Sequence, residues 1–212
     1  MKLEKGSTLV VTGDSITDCG RTRPQGESCF DGLGSGYPRF LDALIEVNAP
    51  GQNIRVINTG SGGDRTVELL DRWQEDVLDL HPDYISIMIG INDVWRHFDT
   101  PYKTELHVSP AEYEKNLRTL AESAKASAKK VFLLTPFFME TNKEDAMRKM
   151  TDEYIAVVKA VAADTGAVLV DVQQAFDELF TKIDYPARLG NDRVHPNHVG
   201  HMLIAKTLFE AL

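Results

Sequence analysis

Thr8-Leu9-Val10-Val11-Thr12 runs straight into Gly13-Asp14-Ser15-Ile16-Thr17. The first five residues have the length and apolar character of a strand, and the glycine, acid and serine that follow mark its end. The pattern recurs along the chain. Ile54 to Asn58, Tyr84 to Ile89, Val131 to Thr135 and Ala167 to Val170 read as strands two to five, the fourth stopped by Pro136. Longer segments with helical periodicity fall between them. Tyr37 to Val47 carries a stripe of Phe40, Leu41, Leu44 and Ile45, and Val67 to Leu80 carries Leu69, Leu70, Trp73, Val77 and Leu80. A further helix opens at Pro110 behind the cap candidate Ser109. Another spans Asp145 to Thr165 and is closed by Gly166. A short one is marked by Phe176, Leu179 and Phe180, and a last one runs from Pro196 to Leu208 with Asn197 available as a cap.

Strands that are apolar on both faces imply a sheet covered on both sides. Strict strand–helix alternation implies parallel strands joined by right-handed crossovers. The expected fold class is α/β, a three-layer α/β/α sandwich with a five-stranded parallel, flavodoxin-like sheet. No repeat or linker divides the chain, so residues 1–212 read as a single domain. Two irregular segments, Asp18 to Gly36 and Arg96 to Ser109, are long enough to suggest functional loops.

The 212 residues are 42% hydrophobic and carry a formal net charge of −9. A net-acidic surface argues against nucleic acid or an anionic membrane as partner and suits a neutral substrate. No apolar run reaches the ~18 residues of a membrane span. The amino-terminal residues lack the pattern of a signal peptide, so the expected location is cytoplasmic. Cys19 and Cys29 do not make a disulfide framework and are read as reduced thiols.

In a parallel sheet of this kind, sites form at the carboxyl ends of the strands. There the sequence offers Asp14-Ser15 after strand one, Gly60-Ser61-Gly62-Gly63-Asp64-Arg65 after strand two and Gly90-Ile91-Asn92-Asp93 after strand three. Asp192-Arg193-Val194-His195 stands before the last helix. These are the parts of acyl transfer. Ser15 is the candidate nucleophile, His195 the general base and acid, and Asp192 the group that orients the imidazole. The Ser15 N–H, the Gly63 N–H and the Asn92 amide are candidates for an oxyanion hole, with Gly62 the alternative to Gly63. Taken singly, each segment has a plainer reading as a turn, a cap, a flexible loop or a surface ion pair. Their joint placement at successive strand ends favours one site. The glycine segment fails the dinucleotide fingerprint, because Arg65 stands where the third glycine would fall. Thr17 likewise breaks the G-x-S-x-G elbow of ordinary α/β-hydrolases.

Taken together, these four blocks resemble the SGNH, or GDSL-like, hydrolase family. Asp14 to Arg21, Ser86 to Arg96 and Asp192 to Pro196 more narrowly resemble intracellular bacterial acetylxylan esterases. That resemblance implies a carboxylic ester hydrolase that removes acetyl groups from xylo-oligosaccharides. It implies no cofactor, action in the cytoplasm and a homo-oligomeric state. Asp14, Trp95 and Arg96 are the expected substrate-binding residues, the aromatic segment 95–102 offering flat faces to a sugar. The alternatives are a lysophospholipase or thioesterase, and a non-catalytic carbohydrate-binding protein. His195, His198 and His201 recur every third residue, but no Cys or carboxylate cluster joins them. They are read as the rim of a cleft and not as a metal site. Trp73 is expected in the core. Asp64 and Arg65 are expected to pair with each other or to help place the glycine turn, and Asp93 is a candidate loop-holder through backbone hydrogen bonds.

Overall fold

The structure is a computed structural model that describes residues 3–27, 29–183 and 188–212, without the side chain of residue 29. The reading of Cys29 as a thiol therefore lies outside the described residues, whereas Cys19 is a free cysteine.

The five expected strands form one sheet, together with a sixth that sequence patterning did not reveal. In chain order they are β1 (Thr8–Gly13), β2 (Gly26–Glu27), β3 (Arg55–Asn58), β4 (Tyr84–Met88), β5 (Lys130–Leu134) and β6 (Val168–Val170). Their spatial order is β2-β3-β1-β4-β5-β6. Without β2 this is the doubly wound, flavodoxin-like order, with all neighbours parallel. β2 adds two residues antiparallel to the β3 edge, with Gly26 opposite Asn58. Such a short edge strand has no periodicity to read.

The central strands are apolar because both of their faces are covered. Leu9, Val10, Val11, Ile85, Ile87, Phe132 and Leu133 are buried. On one side of the sheet, α2 (Tyr37–Asn48) packs against α9 (His198–Ala211), which also touches α8 (Val172–Phe180). On the other, α6 (Pro110–Ser127) packs against α7 (Ala146–Thr165). The caps follow the expected chemistry. Ser109 Oγ accepts from the Glu112 N–H, Asp145 from the Met147 and Arg148 N–H groups, and Asn197 from the Val199 and Gly200 N–H groups. Gly166 ends α7 at φ +69°, a conformation that favours glycine. Among the described residues, no helix is long and apolar enough to cross a membrane.

Two helical expectations change. The Val67–Leu80 helix is three pieces: α3 (Thr66–Asp71), α4 (Trp73–Asp76) and a 3₁₀ turn at Leu78–Leu80. The break is at Arg72, whose guanidinium is drawn to the strand ends. It donates to Gly13 O at 3.0 Å, Thr59 O at 2.6 Å and Asp64 Oδ2 at 2.6 Å. Those bonds tie the ends of β1 and β3 together beneath the site. Trp73 is buried as expected and donates its indole N–H to Ser123 Oγ. Conversely, part of the segment read as irregular is helical: α5 (Ile91–Asp99) starts directly after Gly90.

Candidate active site

The site is built where β1, β3 and β4 end. Gly13 closes β1, and a Cβ there would meet Met88 O at 2.1 Å, so only glycine lets β1 run this close to β4. Asp14 then caps α1 (Ser15–Asp18), its Oδ1 accepting the Ile16 N–H at 2.9 Å. This sets Ser15 at the first position of a helical turn, where its own N–H has no intrahelical acceptor.

From the far end of the chain, the loop before α9 brings the base. Ser15 Oγ lies 2.8 Å from His195 Nε2, and His195 Nδ1 lies 2.7 Å from Asp192 Oδ2. Asp192 Oδ1 also accepts the backbone N–H groups of Val194 and His195, at 3.0 and 2.8 Å. Partial burial alone would raise the Asp192 carboxyl. These hydrogen bonds from His195 and Val194 outweigh it and hold the carboxyl below its ordinary value. A carboxylate fixed on both oxygens selects the imidazole tautomer with its hydrogen on Nδ1. That leaves the Nε2 lone pair facing the serine.

The oxyanion candidates surround the same turn. Asn92 is buried at the start of α5 and oriented from both ends. Its Nδ2 donates to Asp64 O at 2.9 Å and its Oδ1 accepts from Arg96 at 3.0 Å. The second amide hydrogen of Asn92 is not used in those contacts. Of the two glycines, Gly62 is committed, donating its N–H to Asp18 Oδ2 at 3.0 Å. Among the described residues, the N–H groups of Ser15 and Gly63 meet no acceptor. The glycine loop itself is held by residues that sequence reasoning passed over. Arg21 Nε donates to Gly60 O at 2.7 Å, and Arg23 pairs with Asp18 at 2.6 Å. Buried Asn58 donates to Thr17 O and accepts from the Gly60 N–H.

Several expected roles change. Asp14, expected to touch substrate, is 1% exposed and lies beneath the turn as a cap. Asp64 and Arg65 do not pair with each other: Asp64 binds Arg72, and Arg65 binds Glu68. Asp93 does hold the loop, accepting from both the N–H and the hydroxyl of Thr66. His201 is not a rim residue but is 6% exposed. Its Nδ1 accepts the Tyr37 N–H at 3.2 Å, so Nε2 carries the hydrogen and faces Cys19 Sγ at 3.4 Å. Cys19 Sγ in turn lies 3.5 Å from Ser15 O. Burial pushes the Cys19 thiol up to about 12, which makes it a packing group and not a nucleophile. The spacing 201, 204, 205, 208 would have put His201 on the buried stripe of α9. Trp95 is half-buried, its ring centroid 5.7 Å from the His195 ring, with the Arg96 guanidinium over the indole at 5.5 Å from its centroid. Among the described residues, no three His, Cys, Asp or Glu side chains are grouped to hold a metal ion.

Burial gives two groups opposite pH signatures. It pushes the Asp14 carboxyl up to about 7, against the Ile16 hydrogen bond, with Asp93 and Asp64 adding to the rise. Stability linked to Asp14 is therefore fully present below pH ~3.9 and is lost as pH rises through about 7. Burial and then His195 hold His201 down to about 4, so its contribution is present above ~6.5 and is lost as pH falls toward 4. Asp14→Asn keeps the oxygen that caps α1 and removes the charge. Its melting temperature relative to wild type is expected to climb between pH 5 and pH 8, by on the order of 5 °C. The same difference at both pH values would show that Asp14 is not buried as an acid.

The arrangement can pass a proton from a serine hydroxyl to an imidazole while presenting N–H donors to a developing oxyanion. Known proteins share this fold and much of its sequence. The chain is 46% identical over 212 residues to an acetylxylan esterase of Geobacillus stearothermophilus, covering 100% of this chain and 96% of that one. The crystal structure of that organism's acetylxylan esterase Axe2 superposes with a TM-score of 0.97 at 46% identity, with the same coverage. Structures of its catalytic mutants, at a serine, a histidine and an aspartate, match equally well. LAE5, an alpha/beta hydrolase from the metagenome of Lake Arreo, Spain, matches with a TM-score of 0.95 at 46% identity, covering 99% of this chain and 96% of that one. The profile of the GDSL-like Lipase/Acylhydrolase family matches residues 11–203. The chain therefore belongs to the GDSL-like lipase/acylhydrolase family of ester hydrolases.

Proposed function

We propose that this protein is a serine carboxylesterase that removes acetyl groups from acetylated xylo-oligosaccharides. Ser15 Oγ attacks the acetyl carbonyl carbon as His195 Nε2 takes its proton. The tetrahedral oxyanion is held by the N–H groups of Ser15 and Gly63 and by the Asn92 amide. Collapse breaks the bond to the sugar oxygen, which leaves with the proton from His195. Water then attacks the acetyl-serine carbonyl as His195 Nε2 takes its proton, and His195 returns that proton to Ser15 Oγ as the ester bond breaks, releasing acetate and restoring Ser15. No cofactor takes part. The observation that carries the reading is the 2.8 Å contact of Ser15 with a His195 already fixed by Asp192 at 2.7 Å. The sugar specificity is supported by the 46% identity to an acetylxylan esterase and by the half-buried Trp95 beside the base. We further expect one domain over residues 1–212, a homo-oligomer and a cytoplasmic location, in keeping with the narrower resemblance of the sequence.

The test is acetate release from acetylated xylo-oligosaccharide beside a nitrophenyl ester series from acetate to octanoate. The expected result is acetate release from the sugar and a steep fall in kcat/KM beyond the shortest acyl groups. Preference for octanoate with no acetate from the sugar would move the substrate to lipids or thioesters. Within the same assay, Asn92→Ala is expected to lower kcat by roughly 10²–10³-fold with little change in KM, because its amide meets the oxyanion only in the transition state. An equal rise in KM with kcat intact would remove Asn92 from the oxyanion hole.

A further inference from the structure

Beside the triad lies a cavity of about 240 Å³ lined by Trp95, Phe98, Phe138, Asp145, Asp192 and Arg193, among others. Two of these belong to the surroundings of the catalytic base. Asp192 is the carboxylate on His195 Nδ1, and the Trp95 ring lies 5.7 Å from the His195 ring. The rest of the lining is not used by the acyl-transfer steps.

The lining combines flat apolar faces with fixed polar edges. Phe98 is a large aromatic left 37% exposed, and Phe138 lies buried under the Arg193 guanidinium at 4.7 Å. Arg193 is held by Glu140 at 2.6 Å and by Asp145 at 3.3 Å, both through Nη1. Among the described residues, its Nη2 and Nε hydrogens are not so engaged and remain for a ligand. Arg193 also adopts φ +64°, a conformation that glycine or asparagine takes far more readily. It does so between the two triad residues of its own loop, which ties the cavity wall to the placement of Asp192 and His195.

This chemistry fits a neutral pyranose. A sugar ring offers C–H faces to aromatic side chains and a hydroxyl edge to carboxylates and guanidinium. The space is smaller than the ~300–1,000 Å³ of drug-sized pockets and suits one ring. A long acyl chain would desolvate Asp145 and Arg193 without giving their polar atoms partners. Carboxylates at positions 99, 145 and 192 around the lining disfavour an anion.

We infer that this cavity is a subsite for a second, non-reacting sugar unit of the substrate, so that the enzyme selects oligosaccharides over single acetylated sugars. The inference rests on the deacetylase reading above. The test compares kcat/KM on acetylated xylotriose with kcat/KM on acetylated xylose for wild type, Phe98→Ala and Phe98→Tyr, with melting curves and light scattering alongside. The expected result is a wild-type preference for the trisaccharide. Phe98→Ala should reduce that preference roughly 5–10-fold, and Phe98→Tyr, which keeps the ring face, should retain it. An unchanged ratio in Phe98→Ala, with wild type active on both substrates, would overturn the subsite and leave the deacetylase intact. A change in particle mass with an unchanged ratio would also overturn it and make the patch a contact between copies of the chain. No acetate release by wild type from either sugar would overturn the deacetylase reading and the subsite with it.

Discussion

Replacing Ser15 by Ala is expected to lower kcat on acetyl esters by roughly 10⁴–10⁶-fold while leaving the fold intact. The two halves of that expectation have separate causes. The rate falls because, among the described residues, the neighbouring hydroxyl of Thr17 and thiol of Cys19 cannot take the place of Ser15. Thr17 is buried against Tyr37, and the Cys19 thiol is held neutral by burial. Stability persists because, among the described residues, the lost hydroxyl bonds only His195, whose side chain is 43% exposed and can turn to water. Removing it orphans no buried partner, so a change within about 0.5 kcal/mol is expected. Steady-state kinetics beside a melting curve check both halves. Activity within a hundredfold of wild type would show that some other group carries the attack.

Asp192→Asn is expected to lower kcat by about 10⁴-fold, with little effect on KM. The amide oxygen can keep the bonds from the Val194 and His195 N–H groups, so the loop stays in place. The amide NH₂ then faces Nδ1 and drives the imidazole into the tautomer that carries its hydrogen on Nε2. That nitrogen can no longer accept the Ser15 proton. In the wild-type protein the same hydrogen bonds hold the Asp192 carboxyl below its ordinary range. Its contribution is therefore present above the unfolded carboxylate value and is lost only as pH falls through the depressed one. An acid loss of activity near neutral pH would thus not come from Asp192. A variant within tenfold of wild type would show that the carboxylate does not set the tautomer.

The layout of the site could be read from the sequence because strands buried on both faces have an unambiguous pattern. Once β1, β3, β4, β5 and β6 are recognised, the rule for parallel sheets brings Ser15, the glycine segment and Asn92 to one edge. What escaped was of three kinds. β2 is two residues long and paired at the edge, so it carries no period. α5 does carry a stripe, at Ile91, Val94, Trp95 and Phe98, but Gly90 and the Asn92-Asp93 pair suggested a turn. Gly90 in fact caps that helix at φ +133°, and Asn92 and Asp93 point their polar groups inward to Asp64 and Thr66. The third kind is polar bonding between distant segments. Arg72 reaching Gly13 O, or Arg21 reaching Gly60 O, depends on which strand ends are neighbours, and no local pattern encodes it. His201 differs, because its place on the buried stripe of α9 was available and the every-third-residue histidine spacing drew attention away from it.

The buried polar residues beneath the site share a task. They hold the nucleophile and the glycine loop and do not touch the reacting atoms. Asp14, Asn58 and Asp93 are buried polar groups whose bonds end on backbone N–H or C=O groups of the strand-end loops. Such groups are costly unless paired, and here each is paired. Their bonds fix the positions of Ser15 and the oxyanion donors before substrate arrives, which is the requirement for electrostatic preorganisation.

The central claim is that acetyl passes through Ser15. The direct measurement is rapid-quench mass spectrometry of wild-type protein mixed with acetylated xylo-oligosaccharide, followed by peptide mapping. The account predicts one transient acetyl group on the peptide containing Ser15, formed before steady-state acetate release and absent in Ser15→Ala. Turnover of the sugar with no acetyl on that peptide at any quench time, or with the acetyl on another residue, would contradict it.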